Sequence, residues 1–166
     1  MDLKIFLGTV NYTDYLHWRI ELVSAPGTTV DEGYINVPVT NYTLVVTGLI
    51  ADNYKVFFYD SPDTSSLGTL VTTCFISAVS AAYAYEQRFY RIGSLPSGAT
   101  LSTDGKTITD LYLIGKEIQS YFRQGNQFLE QGVEIDFDNT VGDMELIDGT
   151  SFSTGEILAI QIKNAI

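Results

Sequence analysis

One cysteine, Cys74, and one histidine, His17, stand in a chain of 166 residues. No internal disulfide can form, so stability must come from packing. The same scarcity removes most Cys/His zinc sites and leaves a thiolate or imidazole without its usual catalytic partners. Basic residues are also few, with 9 Lys and Arg against 20 Asp and Glu and a net charge of −11. A nucleic-acid binder needs a basic footprint that releases counterions from phosphate. The best basic grouping here is Arg88 and Arg91, and Glu86 sits beside it. An anionic membrane surface is disfavoured for the same reason. No apolar run approaches the ~18 residues of a membrane span. The opening Met1-Asp2-Leu3-Lys4-Ile5-Phe6 lacks the charged and apolar regions of a signal peptide, so synthesis in a cytoplasm is expected. No nucleophile elbow, Walker loop or dinucleotide-binding glycine motif occurs. The expectation is a protein that is not an enzyme and uses no cofactor and no metal.

Apolar and aromatic residues are plentiful. Hydrophobic residues make up 45%, enough for a core. Charged residues are 17%, below the usual quarter, so Thr, Ser, Asn, Gln and the 11 tyrosines must form much of the surface. The dominant period is two, that of strands. Leu16, Trp18, Ile20 and Leu22 share one face, and His17, Arg19 and Glu21 take the solvent side. Strands are also expected over Gly33 to Val39, Tyr42 to Val46, Lys55 to Tyr59 and Leu67 to Ile76. Turn residues at 8–12-residue spacing give the pattern of a sandwich.

The small, weakly charged run from Ser77 to Gln87 changes character and predicts a linker or connecting strand. In the second half, Asp104-Gly105 predicts a two-residue type I′ hairpin between Leu101 and Ile108. Ile108 to Ile114 follows as an apolar strand. Gly115 to Gln124 fits helix or strand and leans to strand. Glu134 to Phe137, Asp143 to Ile147 and Gly155 to Ile162 complete the set. The expected fold class is all-β, as two tandem small β-sandwich (Ig-like) domains: 1–80, a linker at 81–87, and a hairpin-rich module at 88–166.

Tyr42-x-Leu44-x-Val46-x-Gly48-Leu49, followed by Tyr54-x-Val56, resembles the E-to-F corner of a fibronectin type III domain. That resemblance covers about residues 1–78 and implies that Leu49 closes strand E. It also implies that Tyr54 bonds back to the backbone and that Trp18 is the strand-B core tryptophan. The corner is shorter than the family's and lacks its proline, and other immunoglobulin-like sandwiches use similar corners. In the second half, Gly132-Val133-Glu134-Ile135-Asp136-Phe137 leads to a turn with Gly142. Met144-x-Leu146, Phe152 and Gly155-Glu156-x-Leu158-x-Ile160 follow. This order resembles β modules of phage tail-fibre attachment and neck proteins. It implies a virion structural protein, made in the host cytoplasm, that meets other virion proteins and its own copies in a ring. From the acidic charge, neither nucleic acid nor membrane is expected as a partner.

Four features invite chemistry. His17 has no second histidine and is expected at the surface. Cys74 falls in a β run, as a small buried hydrophobe rather than a nucleophile. Glu134, Asp136, Asp138, Asp143 and Glu145 could hold calcium or act as a hydrolase pair, but they miss the EF-hand spacing and are expected to form a charged outer face that discourages edge-to-edge aggregation. Tyr83, Tyr85, Tyr90, Tyr112 and Tyr121 cluster around the linker and beyond. Tyrosine buries area while keeping a polar tip, so these five are the expected interface residues. Such a face also suits a carbohydrate-binding or adhesive module, the alternative function.

Overall fold

Alternating burial along the first half follows the period-two pattern. The computed structural model describes residues 2–10, 14–76, 83–124 and 126–163, with backbone only at 83–85. The chain is all-β. Its first strands are β1 (Leu3–Val10), β2 (Tyr15–Leu22), β3 (Thr29–Asn36), β4 (Val39–Val46), β5 (Tyr54–Ser61) and β6 (Thr69–Ile76). A four-stranded antiparallel sheet runs β3-β2-β5-β6. It packs on β1 and β4 through Leu16, Trp18, Ile20, Val56 and Phe58 against Leu3, Ile5 and Leu7. Leu49 is buried, and the Tyr54 hydroxyl donates to the Ile50 carbonyl at 2.9 Å, the geometry of a tyrosine corner. Trp18 differs from expectation. Its strand pairs directly with the strand of Tyr54, not with the opposite sheet, so it takes the strand-C place of an immunoglobulin sandwich instead of strand B. Gly33 lies opposite Trp18, and a Cβ there would stand 2.9 Å from the indole.

The second half comprises β7 (Tyr83–Arg91), β8 (Ala99–Leu101), β9 (Thr107–Asp110), β10 (Glu117–Arg123), β11 (Gln127–Leu129), β12 (Ile135–Asp138), β13 (Asp143–Leu146) and β14 (Ile157–Lys163). Strand β7 joins the halves. Tyr83–Glu86 run parallel to β1, and Glu86–Arg91 run antiparallel to β14. The result is a six-stranded sheet, β11-β10-β14-β7-β1-β4, with a third sheet, β12-β13-β9-β8, on its other side. Phe89, Phe122, Ile157 and Ala159 enter the first core. Their sequence neighbours Tyr90, Tyr121, Leu158 and Ile160 point the opposite way into the second. Strand β14 is buried on both faces from Ile157 to Ile162, which explains its nearly continuous apolar run.

The linker at 81–87 is therefore corrected in favour of the connecting strand, the other expectation for this run. Residues 81–82 lie outside the described residues, and 83–87 are strand. From Glu86 on, this strand is enclosed between layers. Gln87 is 1% exposed, and its Oε1 accepts from the Cys74 thiol at 2.8 Å. Gln161 of β14 clasps the neighbouring Phe75 backbone, accepting from its N–H at 3.0 Å and donating to its carbonyl at 2.9 Å. That pair of bonds satisfies part of the open edge of β6 with a side chain.

Two further expectations change. The 101–108 hairpin is not type I′, because only Gly105 has positive φ, at 72°. Instead the Gly105 N–H bonds to the Ser102 carbonyl, and Asp104 accepts from the Ser102 hydroxyl and the Lys106 N–H. The apolar strand from Ile108 stops at Asp110. That side chain accepts from the Tyr112 N–H and caps a short 3₁₀ turn over Leu111–Leu113. Gly115–Gln124 contains β10, a strand as expected.

Candidate functional site

Arg88 and Tyr90 are two apart on β7, so both side chains face the third sheet. There they meet Asp110, the last residue of β9 and only 1% exposed. Arg88 Nε donates to Asp110 Oδ2 at 2.8 Å, and the Tyr90 hydroxyl donates to the same oxygen at 2.7 Å. The other carboxylate oxygen, Oδ1, holds the Tyr112 N–H at 3.0 Å. Behind this group, the Asp110 N–H bonds to the Gly142 carbonyl at 2.9 Å. Burial, reinforced by the Asp110 charge, pushes the Tyr90 phenol far above its ordinary range, so it stays a donor. For Arg88, burial works against the charge, but Tyr90 and Asp110 outweigh it and keep the guanidinium charged.

This network supports an apolar projection. Leu111, Tyr112 and Ile114 are 65%, 45% and 47% exposed on the capped turn. The neighbouring 139–142 loop bonds to the same segment, from the Gly115 N–H to the Asn139 carbonyl, and adds exposed Val141. The Arg88 guanidinium lies 4.5 Å from the Tyr112 ring centroid, and Lys116 Nζ lies 4.9 Å from it. Burial, followed by a hydrogen bond with Glu86, raises the Tyr112 phenol to about 12. The arrangement holds no activated nucleophile. Its polar groups fix a turn that presents apolar side chains.

Of the expected interface residues, Tyr112 alone is both described and exposed. The side chains of Tyr83 and Tyr85 lie outside the described residues. Tyr90 and Tyr121 are corrected: they are 0% and 2% exposed, because β7 and β10 sit beneath the third sheet. Tyr121 instead donates to Gln131 Oε1 at 3.1 Å. Leu111 and Ile114 were missed. The apolar run Leu111–Ile114 reads as a continuing strand, but the capped turn sends Leu113 inward and Leu111, Tyr112 and Ile114 outward.

His17 is also corrected. It occupies the outer face of its sheet, as expected, yet is only 2% exposed. Tyr34, Tyr59 and the segment after β5 cover it. Cys74 is fully buried, and burial pushes its thiol well up, so it stays protonated at neutral pH.

The second-half carboxylates are spread through turns and strands. Asp138 Oδ1 accepts from the Thr140 N–H and hydroxyl, and Asp148 Oδ1 does the same with Thr150. Asp143 accepts from Thr109, and Glu134 from the Glu130 N–H. Among the described residues no three His, Cys, Asp or Glu side chains group closely enough to hold a metal ion. Hydrogen bonds to the charged form lower Asp63, Asp104, Asp138 and Asp148 below the ordinary value of 3.8. Their contribution to stability is complete above that value and is lost as pH falls through the lowered folded values. Urea melts are expected to show a lower midpoint at pH 2.5 than at pH 5, and Asp138→Asn with Asp148→Asn should narrow that difference.

Comparison with family models, curated proteins and solved structures finds no match to this chain.

Proposed function

We propose that the chain is a non-enzymatic structural component of a bacteriophage particle, in the neck, collar or tail. It would assemble through protein–protein contacts with other virion proteins and with its own copies in a ring. The observation that carries the assembly role is the projection of Leu111, Tyr112 and Ile114. It is exposed, apolar, and held rigid by the buried Asp110 network. A pre-ordered apolar projection loses little entropy when a partner covers it. The particle itself is suggested by the likeness of residues 132–160 to phage attachment and neck modules.

Quantitative mass spectrometry of purified particles tests the reading. The chain is expected at a fixed stoichiometry, and its absence would sink the proposal. Leu111→Asp and Ile114→Asp should leave the isolated fold intact and exclude the protein from particles.

A carbohydrate-binding or adhesive module is the second reading. Tyr112 suits it poorly, since two cations already sit over the ring. Exposed Phe128, which lies edge-on to buried Phe122 at a centroid distance of 5.7 Å, suits it better. Glycan-array binding that disappears in Phe128→Ala would favour this reading.

A further inference from the structure

His17 is an outward-facing residue enclosed by its neighbours. Tyr34 of β3 stacks on its imidazole at 4.3 Å with planes 10° apart, and Tyr59 of β5 lies 5.6 Å away on the other paired strand. The segment that leaves β5 folds back over these rings. The Ser61 hydroxyl is placed against the carbonyls of Asp63 and Ser66, at 2.7 and 2.8 Å. Asp63 Oδ1 accepts from the N–H groups of Ser65 and Ser66. The Tyr34 hydroxyl reaches the Ser66 carbonyl at 3.4 Å. Gly68, at φ 78°, returns the chain so tightly that a Cβ would fall 2.1 Å from the Asp60 carbonyl oxygen.

Beneath this cover lies most of the unsatisfied polar surface of the described residues. Five buried side-chain atoms lack a hydrogen bond, and three of them are His17 Nδ1, His17 Nε2 and Ser66 Oγ. His17 Nε2 is 3.4 Å from Glu32 Oε2, outside hydrogen-bonding geometry. Glu32 is itself bound by Arg19, at 3.1 Å. Buried polar atoms without partners are costly, so this closed arrangement is held against a local penalty.

We propose that the segment from Ser61 to Gly68 is an acid-released cover over His17. In the closed state the charged imidazole has only Glu32, 3.4 Å away and already bound by Arg19, and the Leu67 backbone to offset its burial, whereas an opened segment lets water reach it. The charged and titratable groups that face His17 are Arg19 from its own strand, Glu32 and Tyr34 from β3, and Tyr59 from β5, while the cover adds the Leu67 backbone. Burial lowers the imidazole below its ordinary 6.5, and Arg19 adds to this, while Glu32 and the Leu67 backbone oppose it without overcoming it. The sign follows from linkage. The closed state binds the proton less well, so closure is strongest above 6.5 and weakens as pH falls below it. Opening would uncover His17 and the faces of Tyr34 and Tyr59 that lie against it; Tyr34 is already 37% exposed. The proposal is independent of the particle reading.

Nuclear magnetic resonance of the full chain tests it. The His17 ring protons report protonation, and hydrogen exchange at the Ser65, Ser66 and Leu67 amides reports opening. After correction for intrinsic exchange, amide protection should fall by about tenfold between pH 7 and pH 5, together with His17 protonation. Global stability should fall by no more than the same factor, since the unfolded chain binds the proton as the opened state does. His17→Phe should keep protection constant across it. Asp63→Asn should leave the midpoint unmoved, since that carboxylate titrates below 3.8. Protection that stays constant while His17 titrates in the wild-type chain would overturn the proposal. So would the same loss in His17→Phe, or a midpoint that follows Asp63.

Discussion

Asp110→Ala is expected to destabilise the protein by about 3–5 kcal/mol in equilibrium denaturation. The carboxylate serves three donors at once: Arg88 Nε, the Tyr90 hydroxyl and the Tyr112 N–H. Its removal leaves a guanidinium with a 14% exposed side chain facing a buried phenol. Most of the cost is the uncompensated charge, not the lost attraction. The pair Arg88→Met with Asp110→Leu should therefore lose less than Asp110→Ala alone. If the double variant is the less stable, the mutual attraction dominates instead. The same carboxylate caps the turn carrying Leu111 and Ile114, so under the proposed assembly role the milder Asp110→Asn should also weaken incorporation into particles.

Gly142→Ala is expected to cost about 2–5 kcal/mol, from the positive-φ penalty and a forced backbone shift together. Gly142 has φ 81°, and a Cβ there would stand 2.2 Å from the Asp110 carbonyl oxygen. Backbone on both sides leaves no flexible side chain to yield. Gly149 isolates the first effect: its φ is 86° with nothing within 4 Å, so Gly149→Ala should cost only about 1–2 kcal/mol. Chemical denaturation of both variants measures the difference, and equal losses would show that the close approach to Asp110 relaxes freely.

Most of the strand content was legible because half-buried strands alternate. Trp18 and Tyr54 announced the first sandwich by residue type and spacing. The middle layer was harder to see. A strand covered on both faces loses its alternation, so β7 resembled a linker and β14 gave no sign of which side it served. Gln87 and Gln161 were part of the difficulty: they look like surface residues, yet their amides bond to Cys74 and Phe75 within the joint. The candidate site was half legible. Tyr112 followed from tyrosine density, but the roles of Leu111 and Ile114 depend on Asp110 ending its strand, a tertiary effect that needs Arg88 and Tyr90 in place. His17 was assigned to the correct face. Its burial comes from a segment about fifty residues away in sequence, which strand alternation does not report.

The central claim is that the two halves are one cooperative structure built around a shared six-stranded sheet. Separation would strip β1 of β7 and remove Phe89, Phe122, Ile157 and Ala159 from the first core. Differential scanning calorimetry tests this most directly. The account predicts a single transition with a calorimetric-to-van't Hoff enthalpy ratio near one. Two resolved transitions, or a ratio near two, would contradict it.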